Sequence, residues 1–169
     1  FCDACVKAKA HRRPYRKSTN KQKIADATPL SNVVSDLCGP FRTMSVSGKY
    51  YLATIIDVST RYVFVFFLRT KDQFCETFRG WLTFVKNQTG ITPKNFHADG
   101  GTEFVNKEMR AIFAQEGVLF TTTSPGSPNQ NAVAERMNRT LLGSTRAMMY
   151  LAGAPPHLWA EAINYAAYT

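Results

Sequence analysis

Apolar positions along this chain follow two rhythms, one of strands and one of helices. Val33 to Leu37 is a short apolar run closed by Gly39-Pro40. Tyr50 to Ile56 and Tyr62 to Leu68 are β-branched and aromatic runs, and Asp57-Val-Ser-Thr-Arg61 between them reads as a hairpin turn. Their near-continuous apolarity predicts a sheet covered on both faces. From Thr70 the period lengthens. Thr70-Lys-Asp-Gln73 has the form of a capping box, and Phe74, Phe78, Trp81, Leu82 and Val85 then fall on one helical side that ends near Gly90. Aromatic residues at that spacing are core, not a platform for stacking bases.

Asn95 to Ala98 is a short strand that leaves through Asp99-Gly100-Gly101. Asn106 is placed to cap a helix carrying Met109, Ile112 and Phe113, with Gly117 as its stop, and Val118 to Thr122 is another strand. A Pro/Gly/Ser-rich loop from Ser124 then enters a long amphipathic helix running toward Ala152. Here Asn131, Glu135 and Arg139 share one face, and Val133, Met137 and Leu141 share the face expected to pack inward. Pro155-Pro156 opens a last helix with Leu158, Trp159, Ala162, Ile163 and Ala166 on its apolar side. The order predicts an α/β domain, a mixed sheet with helices on its faces.

Composition adds little to that picture, but charge does. Of a net charge of +9, residues 1–25 hold eight Lys/Arg against one Asp, so the rest of the chain is nearly balanced. A basic stretch of this kind either meets nucleic-acid phosphates or is a solvated linker. No run approaches the roughly 18 apolar residues of a membrane helix, and no membrane partner is expected. The four cysteines do not form a secreted disulfide framework, which points to an intracellular setting. Cys2 and Cys5 form a C-x2-C pair, half of a zinc site whose other half is missing. With no initiating Met and a helical pattern running to Thr169, the sequence is expected to be a piece of a longer polypeptide.

Three of the twelve acidic residues sit where regular elements meet loops: Asp36 and Asp99 at strand ends and Glu135 at a helix start. Singly, each has a bland reading. The aspartates are turn residues, and Glu135 is a partner for Arg139 one turn on. Together, three converging carboxylates repel one another unless a divalent cation sits among them. Hard oxygen donors select Mg²⁺ or Mn²⁺, and two such ions about 3.5–4 Å apart promote in-line phosphoryl displacement.

The local sequences narrow the choice. SDLCGP around Asp36, DGGTEF from Asp99, and SPNQNAVAERMNRTL around Glu135, with 35 residues between the second and third carboxylates, resemble the DDE signature of retroviral and retrotransposon integrases. The wording is most similar to that of the copia-type LTR-retrotransposon integrases. PPHLWAEAINYAAY resembles a segment that follows the catalytic glutamate there, and CDACVKAKAHRRP resembles the end of the family's His-His-Cys-Cys zinc domain.

The resemblance implies an RNase H-like fold, a five-stranded mixed sheet flanked by helices. It implies an enzyme that uses two Mg²⁺ or Mn²⁺ ions to trim cDNA 3′ ends and join them to target DNA. Asp36 would bridge both ions, Asp99 would hold one and Glu135 the other. It places Asn131 toward DNA, and Arg139 at a phosphate or in a simple ion pair. It makes residues 1–24 a remnant of the zinc domain plus linker, with Cys2 and Cys5 binding Zn²⁺ only in the longer protein. Residues 25–169 would be a catalytic core truncated at its C-terminal end. It further implies a homo-oligomer in the full-length protein, acting in the nucleus. Asp57 resembles a recurrent family position, but its expected role is turn structure. Gly100 stands where Asn is commoner and Ala132 where Gly is commoner; neither change removes a metal ligand. Two rival readings are another DDE nuclease or transposase, and a DNA-binding or assembly module from a degenerate element that no longer catalyses.

Overall fold

A computed structural model describes residues 28–122 and 132–169. Among them, five strands form one sheet: β1 (Asn32–Cys38), β2 (Tyr51–Asp57), β3 (Val63–Leu68), β4 (Asn95–Ala98) and β5 (Leu119–Thr122). Four helices accompany them: α1 (Phe74–Thr89), α2 (Lys107–Glu116), α3 (Ala132–Leu151) and α4 (Trp159–Tyr168). The order across the sheet is β3-β2-β1-β4-β5. The first three strands are an antiparallel meander, while β1–β4 and β4–β5 pair in parallel. The element order is the one the apolar rhythm predicts.

Strand alternation divides the core into two layers. Val33, Ala53, Ile55, Phe96 and Ala98 pack against Phe74, Phe78, Trp81 and Val85 of α1 and Met109, Ile112 and Phe113 of α2. Rings dominate this layer: Phe78 contacts Phe74, Trp81, Phe96 and Phe113 with centroids 4.7–6.0 Å apart. Burying each such side chain is worth about 1.5–3 kcal/mol. On the opposite face Val34 and Ile56 meet Ala134 of α3, and Leu52 meets Trp159, Ala160 and Ile163 of α4. The sheet is therefore covered on both faces, as its apolarity requires.

The stops act as expected. Asn106 accepts from the Met109 N–H at 2.8 Å, and Gly90 and Gly117 end α1 and α2 with φ of 69° and 67°. Gly39 ends β1 with φ of 132°, and a Cβ there would lie 2.7 Å from the Tyr50 carbonyl.

Three expectations need correction. The capping box at Thr70 does not form; a 3₁₀ turn (Lys71–Gln73) precedes α1 instead. Thr70 Oγ1 donates to Asp72 Oδ2, and Gln73 Oε1 accepts from Arg69 N rather than from the cap residue. On α3 the buried line is Ala134, Asn138, Leu141 and Thr145, so Leu141 packs inward as expected, while Val133 and Met137 are only half-buried against the Val34, Ile56 and Ala134 cluster. The small Ala134 is fully buried in that cluster, which brings the helix close to the sheet there. On α4 the buried residue beside Trp159 and Ile163 is Ala160, with Ala162 and Ala166 half-buried.

Asp57 has the turn role assigned to it. It is 2% exposed, and its carboxylate accepts from the N–H and hydroxyl groups of both Ser59 and Thr60. Burial works to raise its pKa, but the donors of Thr60 and Ser59 outweigh it and hold the carboxyl below its ordinary range. A depressed folded-state pKa gives stability that is complete above the unfolded value of about 3.9 and disappears as pH falls through the folded value. Asp57→Ala is therefore expected to lower unfolding free energy by about 2–3 kcal/mol at pH 7. The difference from the unaltered chain should shrink below about pH 4 in urea titrations.

Candidate metal-dependent site at the strand ends

The parallel pairing of β1 with β4 builds the site. The ladder's last pair is Val34 with His97, two residues before Asp36 and Asp99, so both chains run toward one edge of the sheet as they reach the aspartates. Alternation sets the face. Phe96 and Ala98 point to the α1–α2 layer, so continuing the alternation turns Asp99 to the opposite side, with Asp36 and Val34. Asp36 lies on the α3 face, where Asn138 contacts it, and Asp99 follows directly on β4 at the same edge.

α3 is fastened to that edge by a residue that the motif reading passed over. Asn138 is 3% exposed, and its Nδ2 donates to Asp36 Oδ2 at 2.8 Å and lies 3.6 Å from Cys38 Sγ. The Leu37 N–H holds the other oxygen, Asp36 Oδ1, at 2.9 Å. A carboxylate accepts, so the amide must turn its N–H side to Asp36. Asn138 Oδ1 is left buried without a partner among the described residues, and such orphaned atoms are uncommon away from functional sites. Asn138 falls off the Val133, Met137 and Leu141 line that the apolar rhythm marks, and its burial emerges only in the folded chain.

Glu135 lies one turn before Asn138 on α3 and is exposed. Helix geometry puts it beside Asn138 and hence near Asp36. Arg139 is also exposed, and no ion pair joins it to Glu135 among the described residues. Asn131 and the Cys2–Cys5 pair lie outside the described residues.

Asp99 is exposed at the end of β4, and its Oδ1 accepts from the Gly101 N–H at 3.1 Å. A Cβ on Gly101 would lie 2.7 Å from Glu103 Oε2 and 3.0 Å from Asp99 Oδ1. Glu103, which sequence reading also passed over, is buried and bonded to Lys71 Nζ at 3.1 Å.

The donor set is all oxygen and anionic, which suits a hard divalent cation. Among the described residues, no three His, Cys, Asp or Glu side chains are gathered into a ready cluster. Mg²⁺ does not need one. It is commonly held by one or two carboxylates and completes its shell with waters and substrate phosphate oxygens. Asp36 and Asp99 fit that role, and each carboxylate keeps lone pairs beyond its one or two protein donors. A thiolate nucleophile is poorly served here. Burial first, and then the charge of Asp36, push the Cys38 thiol up to about 11, against the lowering effect of Asn138. His97 is no better placed as a cation, since burial lowers its pKa.

The integrase core domain family model matches residues 26–128. The chain belongs to that family. The matched span contains Asp36 and Asp99 and stops short of Glu135. A retrovirus-related Pol polyprotein from transposon TNT 1-94 of Nicotiana tabacum is 35% identical over 167 residues, which is 99% of this chain and 12% of that protein. This integrase core thus spans about an eighth of its relative's length. Among solved structures, the HTLV-2 integrase catalytic core domain in complex with magnesium aligns with a TM-score of 0.61 at 20% identity, over 83% of this chain and 84% of that one. A chain of the simian T-cell lymphotropic virus intasome in complex with PP2A regulatory subunit B56 gamma aligns with a TM-score of 0.69 at 16% identity, over 85% and 49%. The fold is RNase H-like.

The space around the two motif glycines differs. A Cβ at Gly100 meets nothing within 4 Å, whereas one at Gly101 meets two carboxylates. Glu103 is tied by Lys71 and has little room to move aside. Gly101→Ala is expected to cost about 1–3 kcal/mol, and Gly100→Asn to stay within about 0.5 kcal/mol of the unaltered chain, in chemical unfolding.

Proposed function

We infer that this chain is the catalytic core of a copia-type retrotransposon integrase, an enzyme that moves phosphoryl groups between DNA strands with Mg²⁺ or Mn²⁺. The observation that supports the reading is the parallel register of β1 with β4, which runs Asp36 and Asp99 toward one edge of the sheet, with Asn138 of α3 bonded to Asp36 there. The metal supplies charge neutralisation at the phosphoryl oxygens and activation of the attacking oxygen. Asp36 and Asp99 would hold it, and Glu135 would complete the set from α3. Asn138 fixes the Asp36 carboxylate, the kind of outer support that metal ligands depend on. In end trimming, water oxygen bonds to phosphorus and the strand's 3′-oxygen leaves with the electron pair. In joining, the cDNA 3′-hydroxyl attacks a target phosphodiester and a target 3′-oxygen leaves. The chain forms no covalent bond to DNA in either step.

The partners in this reading are element cDNA ends and target DNA, met in the nucleus. The full-length protein acts as a homo-oligomer; HTLV-2 cores of this fold are known in dimeric and trimeric forms, which supports the idea. Residues 25–169 are the core and residues 1–24 the tail of a zinc domain, a division supported by a family match that begins at residue 26. In this reading Asn131 and the exposed Arg139 would contact the DNA strand.

The test is resolution of a branched DNA that mimics the joined product, with Mn²⁺ or Mg²⁺ titrated. Metal-dependent resolution is expected from the unaltered chain and none from Glu135→Gln. Asn138→Leu, which keeps its volume but gives Asp36 no donor, should lower the rate about 10–100-fold. Equal rates for the unaltered chain and Glu135→Gln would overturn the reading.

A further inference from the structure

A second charged arrangement shares this edge. Lys71 is the first residue of the 3₁₀ turn after β3, and Glu103 lies in the loop after β4. Because β3 and β1 each run antiparallel to β2, and β1 parallel to β4, the ends of β3, β1 and β4 all lie on the same side of the sheet. The Lys71–Glu103 pair therefore spans the edge on which Asp36 and Asp99 end. Its two halves differ: the Glu103 side chain is 7% exposed and that of Lys71 is 45% exposed. The other described ion pairs, Arg79–Glu108 and Lys86–Glu116, join α1 to α2, and their carboxylates are 58% and 24% exposed.

Burying a carboxylate is costly, and tying two side chains together in water gains little. The arrangement makes sense as a fixed mount. Glu103 is held in place by burial and by the loop that Gly101 closes, and it pins the head of a side chain that is otherwise flexible. The ammonium has three donors and gives one to Glu103. Its bond to Glu103 first, with weaker attraction from Tyr51 and Asp99, raises the Lys71 pKa despite burial.

We propose that Lys71 is a DNA-positioning residue: held by Glu103, it contacts a backbone phosphate of the strand that lies along the Asp36–Asp99 edge. This rests on the reading that DNA occupies that edge. A lysine contacting phosphate displaces a counterion, and each such contact contributes about 0.9 to the slope of log affinity against log salt. An ion pair that only braces the fold contributes nothing to it.

The experiment measures binding of the branched DNA by the whole chain, using fluorescence anisotropy across a KCl series at fixed Mg²⁺. Lys71→Gln alone leaves Glu103 buried and unpaired, so the deciding variant is Lys71→Gln/Glu103→Gln, a neutral amide pair of the same size. Its slope is expected to be shallower by about 0.9, and that of Lys71→Arg to match the unaltered chain. A double variant with an unchanged slope overturns the proposal, whatever its affinity. If the unaltered chain binds with the lysine-dependent slope yet resolves no branch with metal, the catalytic reading fails and the phosphate contact stands. If it binds no DNA, both fail.

Discussion

The parallel ladder between β1 and β4 is the constraint on which the site depends. It pairs two strands distant in sequence side by side and so runs Asp36 and Asp99 toward the same edge of the sheet. A slip of one residue would flip Asp99 to the α1–α2 face and bury it among phenylalanines. Those phenylalanines prevent the slip. Phe96 is fully buried against Phe78 and Phe113, and moving it to the other face would forfeit that packing. The chemistry of the edge is thus held by apolar residues that take no part in it. The same holds for Ala134, whose small side chain lets α3 settle on Val34 and Ile56 closely enough for Asn138 to reach Asp36.

Much of this was legible in the sequence, because period and punctuation agreed. Every strand and helix among the described residues was signalled by its apolar rhythm, and Asn106, Gly90 and Gly117 marked their ends by chemistry that depends on local backbone alone. The failures have a common cause. The Thr70 box failed where the chain leaves edge strand β3 through a 3₁₀ turn, a matter of tertiary path. On α3 apolar size marks Leu141 correctly, but Val133 and Met137 are only half-buried because the fully buried places on its inward face go to Ala134 and Asn138. Asn138, Lys71 and Glu103 carry no spacing signature. Their meaning comes from partners 102 and 32 residues away, and only the folded chain supplies those partners.

The two supports around the aspartates differ in charge, and the difference is informative. Asp36 is held by an amide and a backbone N–H, both neutral. A lysine in place of Asn138 would orient the carboxylate equally well, but it would also neutralise it and compete with any cation for it. The neutral donor fixes direction and leaves the charge available. At Glu103 the opposite choice is made, and a full cation answers a buried carboxylate. Without Lys71, Glu103 would stand as a further, uncompensated buried charge near Asp99. The edge therefore keeps its negative charge on the carboxylates that face outward and cancels the charge that faces inward. That division is what a site needs if it is to draw a divalent cation to Asp36 and Asp99 while tolerating the phosphates of an approaching DNA strand.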